Sequence, residues 1–277
     1  MISSVKMFHT APVALMPQLE DHQDFLFIEA AMALENKKYF DYILRLRTLH
    51  PNMYIIMDNS AYLLGKPMPE KDFMRAYEFF SPDCIVVLDH PYQREKTLDL
   101  TEAFIKKYHG RIKAKFMGVP QGSTFAEYML CFQLMKRYNE LSVIGINMFM
   151  DWEHPDLSKL EKTDRVCRFR STVMLNINAS LTEHNKLKEG SFKAIHLLGL
   201  TLGRELAFAT NQHMTLIRSC DSSSAFIHGY QGIRYGKEGL VKKDWEHKMD
   251  FAIQKISGKQ LTNILHNVAV INTMKDF

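Results

Sequence analysis

Three stretches decide the fold: Tyr54-Ile-Ile-Met-Asp58, Cys84-Ile-Val-Val-Leu-Asp89 and Ala114-Lys-Phe-Met-Gly-Val-Pro-Gln121. Each is an apolar run, rich in Ile and Val and too short for an ordinary helix, that stops on a polar residue. Runs of this kind suit strands covered on both faces, as in a parallel sheet. They lie roughly thirty residues apart, about one βαβ unit per step. The same pattern extends outward in both directions. Phe25–Ile28 precedes Glu29, Ser142–Ile146 precedes Asn147, Ala194–Leu198 precedes Gly199, and Thr215–Cys220 precedes Asp221. With a weaker run over Val5–His9 the strands number eight. Helical periodicity fills the gaps over Lys37–Leu49, Glu70–Phe80, Leu98–Tyr108, Phe125–Tyr138 and Leu202–Ala209. Eight strands joined by right-handed crossovers predict a TIM (β/α)8-type barrel. An open doubly wound sheet is the alternative, but no glycine-rich dinucleotide or phosphate loop follows any strand.

The chain of 277 residues is long enough for one such barrel, and 46% hydrophobic with 24% charged residues excludes a disordered or low-complexity protein. A single domain is expected, with an insert at about 148–193 and a C-terminal helical extension at about 242–272. The insert carries the basic segment Arg165-Val-Cys-Arg-Phe-Arg170 and a helix expected over Thr172–Asn185. The extension reads as two amphipathic helices, Lys242–Ile256 and Lys259–Asn272. No apolar run reaches the length of a membrane span. The four cysteines form no CxxC pair and no zinc-finger spacing with histidine, so neither a metal nor another cofactor is expected. No basic-then-apolar leader opens the sequence, and the expectation is a reduced, cytoplasmic protein. The net charge of +4 permits a polyanionic partner without requiring one.

In a parallel barrel the C-terminal strand ends share one rim, where the site forms. That rim would hold Asp58, Asp89, Gln121, Asn147, Gly199 and Asp221. Three carboxylates in one pocket repel unless a cation, a cationic intermediate or a shared proton relieves them. Metal-assisted hydrolysis, sugar chemistry through an oxocarbenium-like state, recognition of a donor-rich base edge and a carboxylate nucleophile all fit. A metal-dependent hydrolase would want an HxH pair, and none occurs. The plainer reading of any one Asp after a strand is that it caps the next helix.

The order of short motifs narrows the choice. Asp58-Asn-Ser-Ala-Tyr62, Val87-Leu-Asp-His90, Gly118-Val-Pro-Gln-Gly122, Ile144-Gly-Ile-Asn147, His196-Leu-Leu-Gly199 and Ser219-Cys-Asp-Ser222 follow one another along the chain. This order resembles that of the tRNA-guanine transglycosylase superfamily, over roughly residues 54 to 224. The tRNA enzymes carry a cysteine-rich zinc subdomain that has no counterpart here. The compact form is more similar to the phage and bacterial DNA-modifying branch, the DpdA type. Asn59 and Ala61 stand where the tRNA enzymes have small Ser or Gly residues, and Pro120 precedes Gln121.

The resemblance implies a pentosyltransferase that exchanges guanine in DNA for a free 7-deazaguanine base. It implies Asp221 as the nucleophile capturing C1′ and Asp58 as the general acid/base. It further implies a base pocket of Asp89, Gln121, Gly145, Ser60, Tyr62 and Gly199. The chemistry is consistent with these residue types. Asp89, an acceptor-only carboxylate, matches the N1–H and N2–H₂ edge that guanine and 7-deazaguanines share and adenine lacks. The target nucleotide must leave the stack. Tyr62, Met148 and Phe149 are candidate platforms for it, or simply core residues. Candidate backbone contacts are Arg165, Arg168 and Arg170 in the insert and Arg234, Lys237, Lys242 and Lys243 after the nucleophile, each of which also reads as solvated surface. The Gly- and Tyr-rich stretch around Arg234 could approach phosphate closely. His196, inside an apolar strand, reads as a satisfied core histidine. The alternatives are a tRNA-guanine transglycosylase of the queuine or archaeosine type and a non-catalytic nucleic-acid-binding homologue.

Overall fold

The computed structural model describes residues 4–148, 151–152, 157–187, 192–200, 202–240 and 250–275. All eight expected strands are present: β1 (Lys6–His9), β2 (Leu26–Glu29), β3 (Ile55–Asp58), β4 (Cys84–Val86), β5 (Lys115–Gly118), β6 (Leu141–Ile146), β7 (Ala194–Leu197) and β8 (Ile217–Ser222). They belong to one sheet in the order β1-β8-β7-β6-β5-β4-β3-β2, with helices between successive strands. This is the topology of a TIM-type (β/α)8 barrel. The chain divides into two compact units. One comprises residues 1–24, 147–178 and 196–277; the other comprises residues 25–146 and 179–195.

In the second of these units β2 to β6 pair in parallel, and Glu29 of β2 lies in register with Asp58 of β3. Ile55, Ile56 and Met57, then Cys84 through Leu88, are buried without a break. That is why their runs are continuous rather than alternating: both faces of the sheet are covered. The helix Lys37–Leu49 starts where Asn36 accepts a hydrogen bond from the Tyr39 N–H at 3.2 Å, and it buries Tyr39, Tyr42, Ile43 and Leu46 along one stripe. Thr124 caps Phe125–Met135 in the same way.

In the other unit β1 pairs in parallel with β8, placing Phe8 opposite Asp221. The chain leaving β1 turns back so that the Asp24 N–H donates to the Met7 carbonyl at 3.0 Å. The insert contains one long helix, Lys162–Leu187, which begins earlier than the residues from Thr172 suggest. The last helix, Gly258–Asn272, matches its expectation and opens on a capping box between Ser257 and Gln260. The helix expected over Lys242–Ile256 does not form across 250–256, which are turn and irregular chain; its earlier part lies outside the described residues. A helix at Ser224–Tyr230 that the polar sequence hides packs against the last helix instead. Among the described residues, no helix is long and apolar enough to cross a membrane.

Candidate active site

The unit of residues 25–146 and 179–195 gathers polar groups at the C-terminal ends of β2 to β5. Asp89, three residues beyond β4, is buried, and burial pushes its carboxyl up to about 6. Two side-chain amides oppose that rise. Asn59 donates from Nδ2 to Asp89 Oδ1 at 2.6 Å, and Gln121 donates from Nε2 to Asp89 Oδ2 at 2.5 Å. Asn59 is itself fixed: Nδ2 also donates to the Val87 carbonyl at 2.7 Å, and Oδ1 accepts from the Ala61 N–H at 2.8 Å. Gln121 is oriented by the Tyr92 N–H, which donates to its Oε1 at 3.2 Å, so its NH₂ group must face Asp89. Each carboxylate oxygen therefore keeps acceptor capacity beyond the amide it already engages. The turn after Gln121 needs glycine. A Cβ at Gly122 would lie 2.3 Å from the Tyr128 nitrogen, on the helix Phe125–Met135.

Asp58 ends β3 and accepts the Ser60 N–H on Oδ2 at 2.7 Å, a turn that precedes the helix Ala61–Leu64 and does not cap it, since Ser60 is the N-cap residue. Ser60 donates through Oγ to Glu29 Oε2 at 3.0 Å and accepts from the Ala31 N–H at 3.1 Å. It does so with φ of 57°, a left-handed conformation that costs a serine about 1 kcal/mol or more. One strained residue thus ties two strand-end carboxylates together. Glu29 is a rim residue to which the sequence reading gives no role, and Asn59 enters there only as a departure from the family pattern. Tyr62 stands on the surface, as does Tyr92, whose φ is 63°. Gly145 is buried within β6.

The unit that contains β1 and β8 holds Asp221. This residue sits inside β8 with 12% of its side chain exposed. Its Oδ1 accepts two hydrogen bonds, from the Gly199 N–H at 3.1 Å and from His196 Nε2 at 3.2 Å. Its Oδ2 has no hydrogen bond among the described residues. One tautomer of His196 satisfies the ring: Nε2–H donates to Asp221, and Nδ1 accepts from the Ser219 hydroxyl at 2.7 Å. His196 is a core histidine, as expected, and it also orients the carboxylate. Gly199 needs to be glycine, with φ of 63° and Met148 Sδ only 2.7 Å from where a Cβ would stand. Asn147 is buried.

The basic candidates separate. Arg168 and Lys237 are exposed. Arg234 is exposed and contacts His266 at 3.2 Å. Arg165 is paired with Asp151 at 2.5 Å. Arg170 is a correction: its side chain is fully buried, ion-paired with Glu205 at 3.1 Å, and cannot meet a phosphate backbone. It falls on the apolar stripe of its helix with Val166, Val173, Ile177 and Leu181. Lys242, Lys243 and Phe149 lie outside the described residues. Among the described residues no cluster of His, Cys, Asp or Glu could hold a metal ion. The four cysteines are buried and free.

No protein-family model and no curated protein matches the chain. Among solved structures it is similar to a protein of Aquifex aeolicus VF5 known from a structural study, at 11% identity and a TM-score of 0.47, over 99% of this chain and 92% of that one. It is also similar to the metallated form of the homocysteine methyltransferase MmuM of Escherichia coli, at 10% identity and a TM-score of 0.38, over 78% and 72% of the two chains. Likenesses this distant leave the chemistry to be argued from the residues.

Proposed function

We propose that this protein is a base-exchanging pentosyltransferase that replaces guanine in DNA with a 7-deazaguanine. The observation that carries the reading is the one-sided anchoring of Asp221. One carboxylate oxygen is fixed by a backbone N–H and a histidine, and the other has no hydrogen bond among the described residues. A structural aspartate would spend both oxygens on the fold. A nucleophile needs one oxygen held and one available.

In this reading Asp221 Oδ2 attacks C1′ of the target nucleotide. The bond from C1′ to the purine nitrogen breaks, and its electron pair leaves with guanine, which takes a proton from Asp58. The incoming 7-deazaguanine then gives its ring N–H proton to Asp58 and displaces the carboxylate, so Asp58 ends protonated as it began. The phosphodiesters are untouched. Asp89 reads the N1–H and N2–H₂ edge with the acceptor capacity that Asn59 and Gln121 leave open. Because the two bases share that edge, one pocket serves both. Adenine would leave a buried carboxylate facing an acceptor, a penalty of about 1–3 kcal/mol or more.

The test is incubation of the protein with guanine-containing DNA, or with tRNA, and a radiolabelled 7-deazaguanine. Label should enter DNA. A denaturing gel should also show a DNA–protein adduct that Asp221→Ala abolishes. Label only in tRNA would transfer the reading to the tRNA class, and label in neither would end it.

A further inference from the structure

We propose that Arg170 is a positioning residue for Asp221, acting through the single peptide unit that joins Leu198 to Gly199. The inference rests on the reading of Asp221 as nucleophile. The carbonyl oxygen of that peptide accepts from Arg170 Nη2 at 3.0 Å, and its N–H, on Gly199, donates to Asp221 Oδ1 at 3.1 Å. A guanidinium cation thus sits at one end of a peptide dipole and the carboxylate at the other. Charge on the oxygen end polarises the amide and makes its N–H a stronger donor, more so in surroundings this dry. The second arm of the guanidinium, Nη1, donates to the Gly199 carbonyl at 2.8 Å and to Glu205 at 3.1 Å. Only a planar fork can hold two successive carbonyls and a carboxylate at once.

The clamp is braced from the far side. The Leu200 N–H donates to the Asp221 carbonyl at 2.7 Å, while the Leu200 carbonyl accepts from the Ser222 and Ser224 hydroxyls at 3.0 and 3.2 Å. Residues 198–200 therefore have little freedom, and the left-handed turn at Gly199 fixes the direction of its N–H. Neither Arg170 nor Glu205 shows more than 1% side-chain exposure. A buried ion pair is an inefficient way to stabilise a fold, since apolar residues of similar volume commonly do as well or better. What such residues could not do is grip the two carbonyls that aim the Gly199 N–H. The long helix Lys162–Leu187 is thereby linked to the nucleophile without touching substrate.

The test uses the full chain and the double variant Arg170→Met/Glu205→Leu, which removes both charges and strands neither. Hydrogen exchange at the Gly199 amide and steady-state base exchange are measured beside thermal unfolding. Expected are a Tm near that of the parent, Gly199 exchange accelerated at least about tenfold, and kcat lowered about 10- to 100-fold with KM for DNA within about twofold. Should the double variant not fold, Arg170→Lys keeps the charge without the fork and should show the same kcat-only loss. Unchanged Gly199 protection, or lost protection with parental kcat, overturns the proposal. If the parent exchanges no base at all, the functional reading fails. The Gly199 measurement then judges the clamp alone, with lost protection sustaining it and retained protection overturning it.

Discussion

Asp89 and Asp221 are two buried carboxylates seated in opposite ways. Asp89 is clasped on both oxygens by neutral side-chain amides, and burial still lifts it to about 6. Asp221 is held on Oδ1 by a main-chain N–H and a histidine, with a buried cation one peptide away, while its Oδ2 has no hydrogen bond among the described residues. The first arrangement fixes direction while leaving the charge costly, which suits a group whose ionised form is completed by donors on a ligand. The second fixes one oxygen, and in the proposed reading the other is the one that forms the bond. Shape alone would not separate these two seats; the number and kind of donors on each oxygen does.

The sharpest break of this comparison is Asp221→Ala against Asp89→Ala. Loss of the nucleophile should cost on the order of 10⁴-fold in kcat with DNA binding intact. Loss of the reader should cost on the order of 10²-fold in kcat/KM and relax discrimination between guanine and adenine nucleotides, scored by exchange on matched oligonucleotides. Equal losses with no change in discrimination would erase the distinction between the two seats.

Acidity gives the next contrast. The Asp89 carboxyl is raised in the folded protein from 3.8 to about 6, so the folded state binds more protons than the unfolded state between those values. Its contribution is complete below about 4 and is lost as pH rises through about 6, by about 3 kcal/mol at most. Thermal unfolding at pH 4.5 and 7.5 should therefore show a loss of stability on raising pH that Asp89→Leu does not share. Base exchange should move the other way. In the proposed reading it needs ionised Asp89 and should fall below a pH of about 6. Gln121→Ala removes a donor that favours the charged form, so this acid limb should shift to higher pH. A limb that stays in place would remove Gln121 from the clasp.

The smallest expected effect is at Ser60. Ser60→Gly releases the left-handed strain but deletes the hydroxyl that bridges to Glu29, so stability should change by no more than about 1 kcal/mol in either direction. A larger loss by chemical denaturation would show that the bridge between Glu29 and Asp58 matters more than the strain.

The strands were legible because a strand buried on both faces writes itself as an unbroken apolar run, and Ile55–Met57 and Cys84–Leu88 are such runs. The insert was harder. Arg165-Val-Cys-Arg-Phe-Arg170 reads as a basic surface when its residues are merely counted. The signal that corrects it was present in the spacing, since Val166, Arg170, Val173, Ile177 and Leu181 recur every three or four residues and form one buried stripe. Lys242–Ile256 shows the reverse fault. Its amphipathic pattern promised a helix that does not form over 250–256. Glu29 was visible as the polar end of a run, but nothing local distinguishes it from a cap. Asn59 was visible as a departure, but its use as a donor to Asp89 required β3 and β4 to be neighbours.

By itself, then, the sequence determined which segments become strands and which acidic groups lie at or near their C-terminal ends, because burial on two faces and the end of an apolar run are properties of adjacent residues. Only the tertiary structure decided which donors each carboxylate meets. The partners of Asp221 lie 22 and 25 positions earlier in the chain and those of Asp89 lie 30 and 32 positions away. A hydrogen bond acts over about 3 Å, so the identity of each donor exists only once strand pairing has brought distant residues side by side.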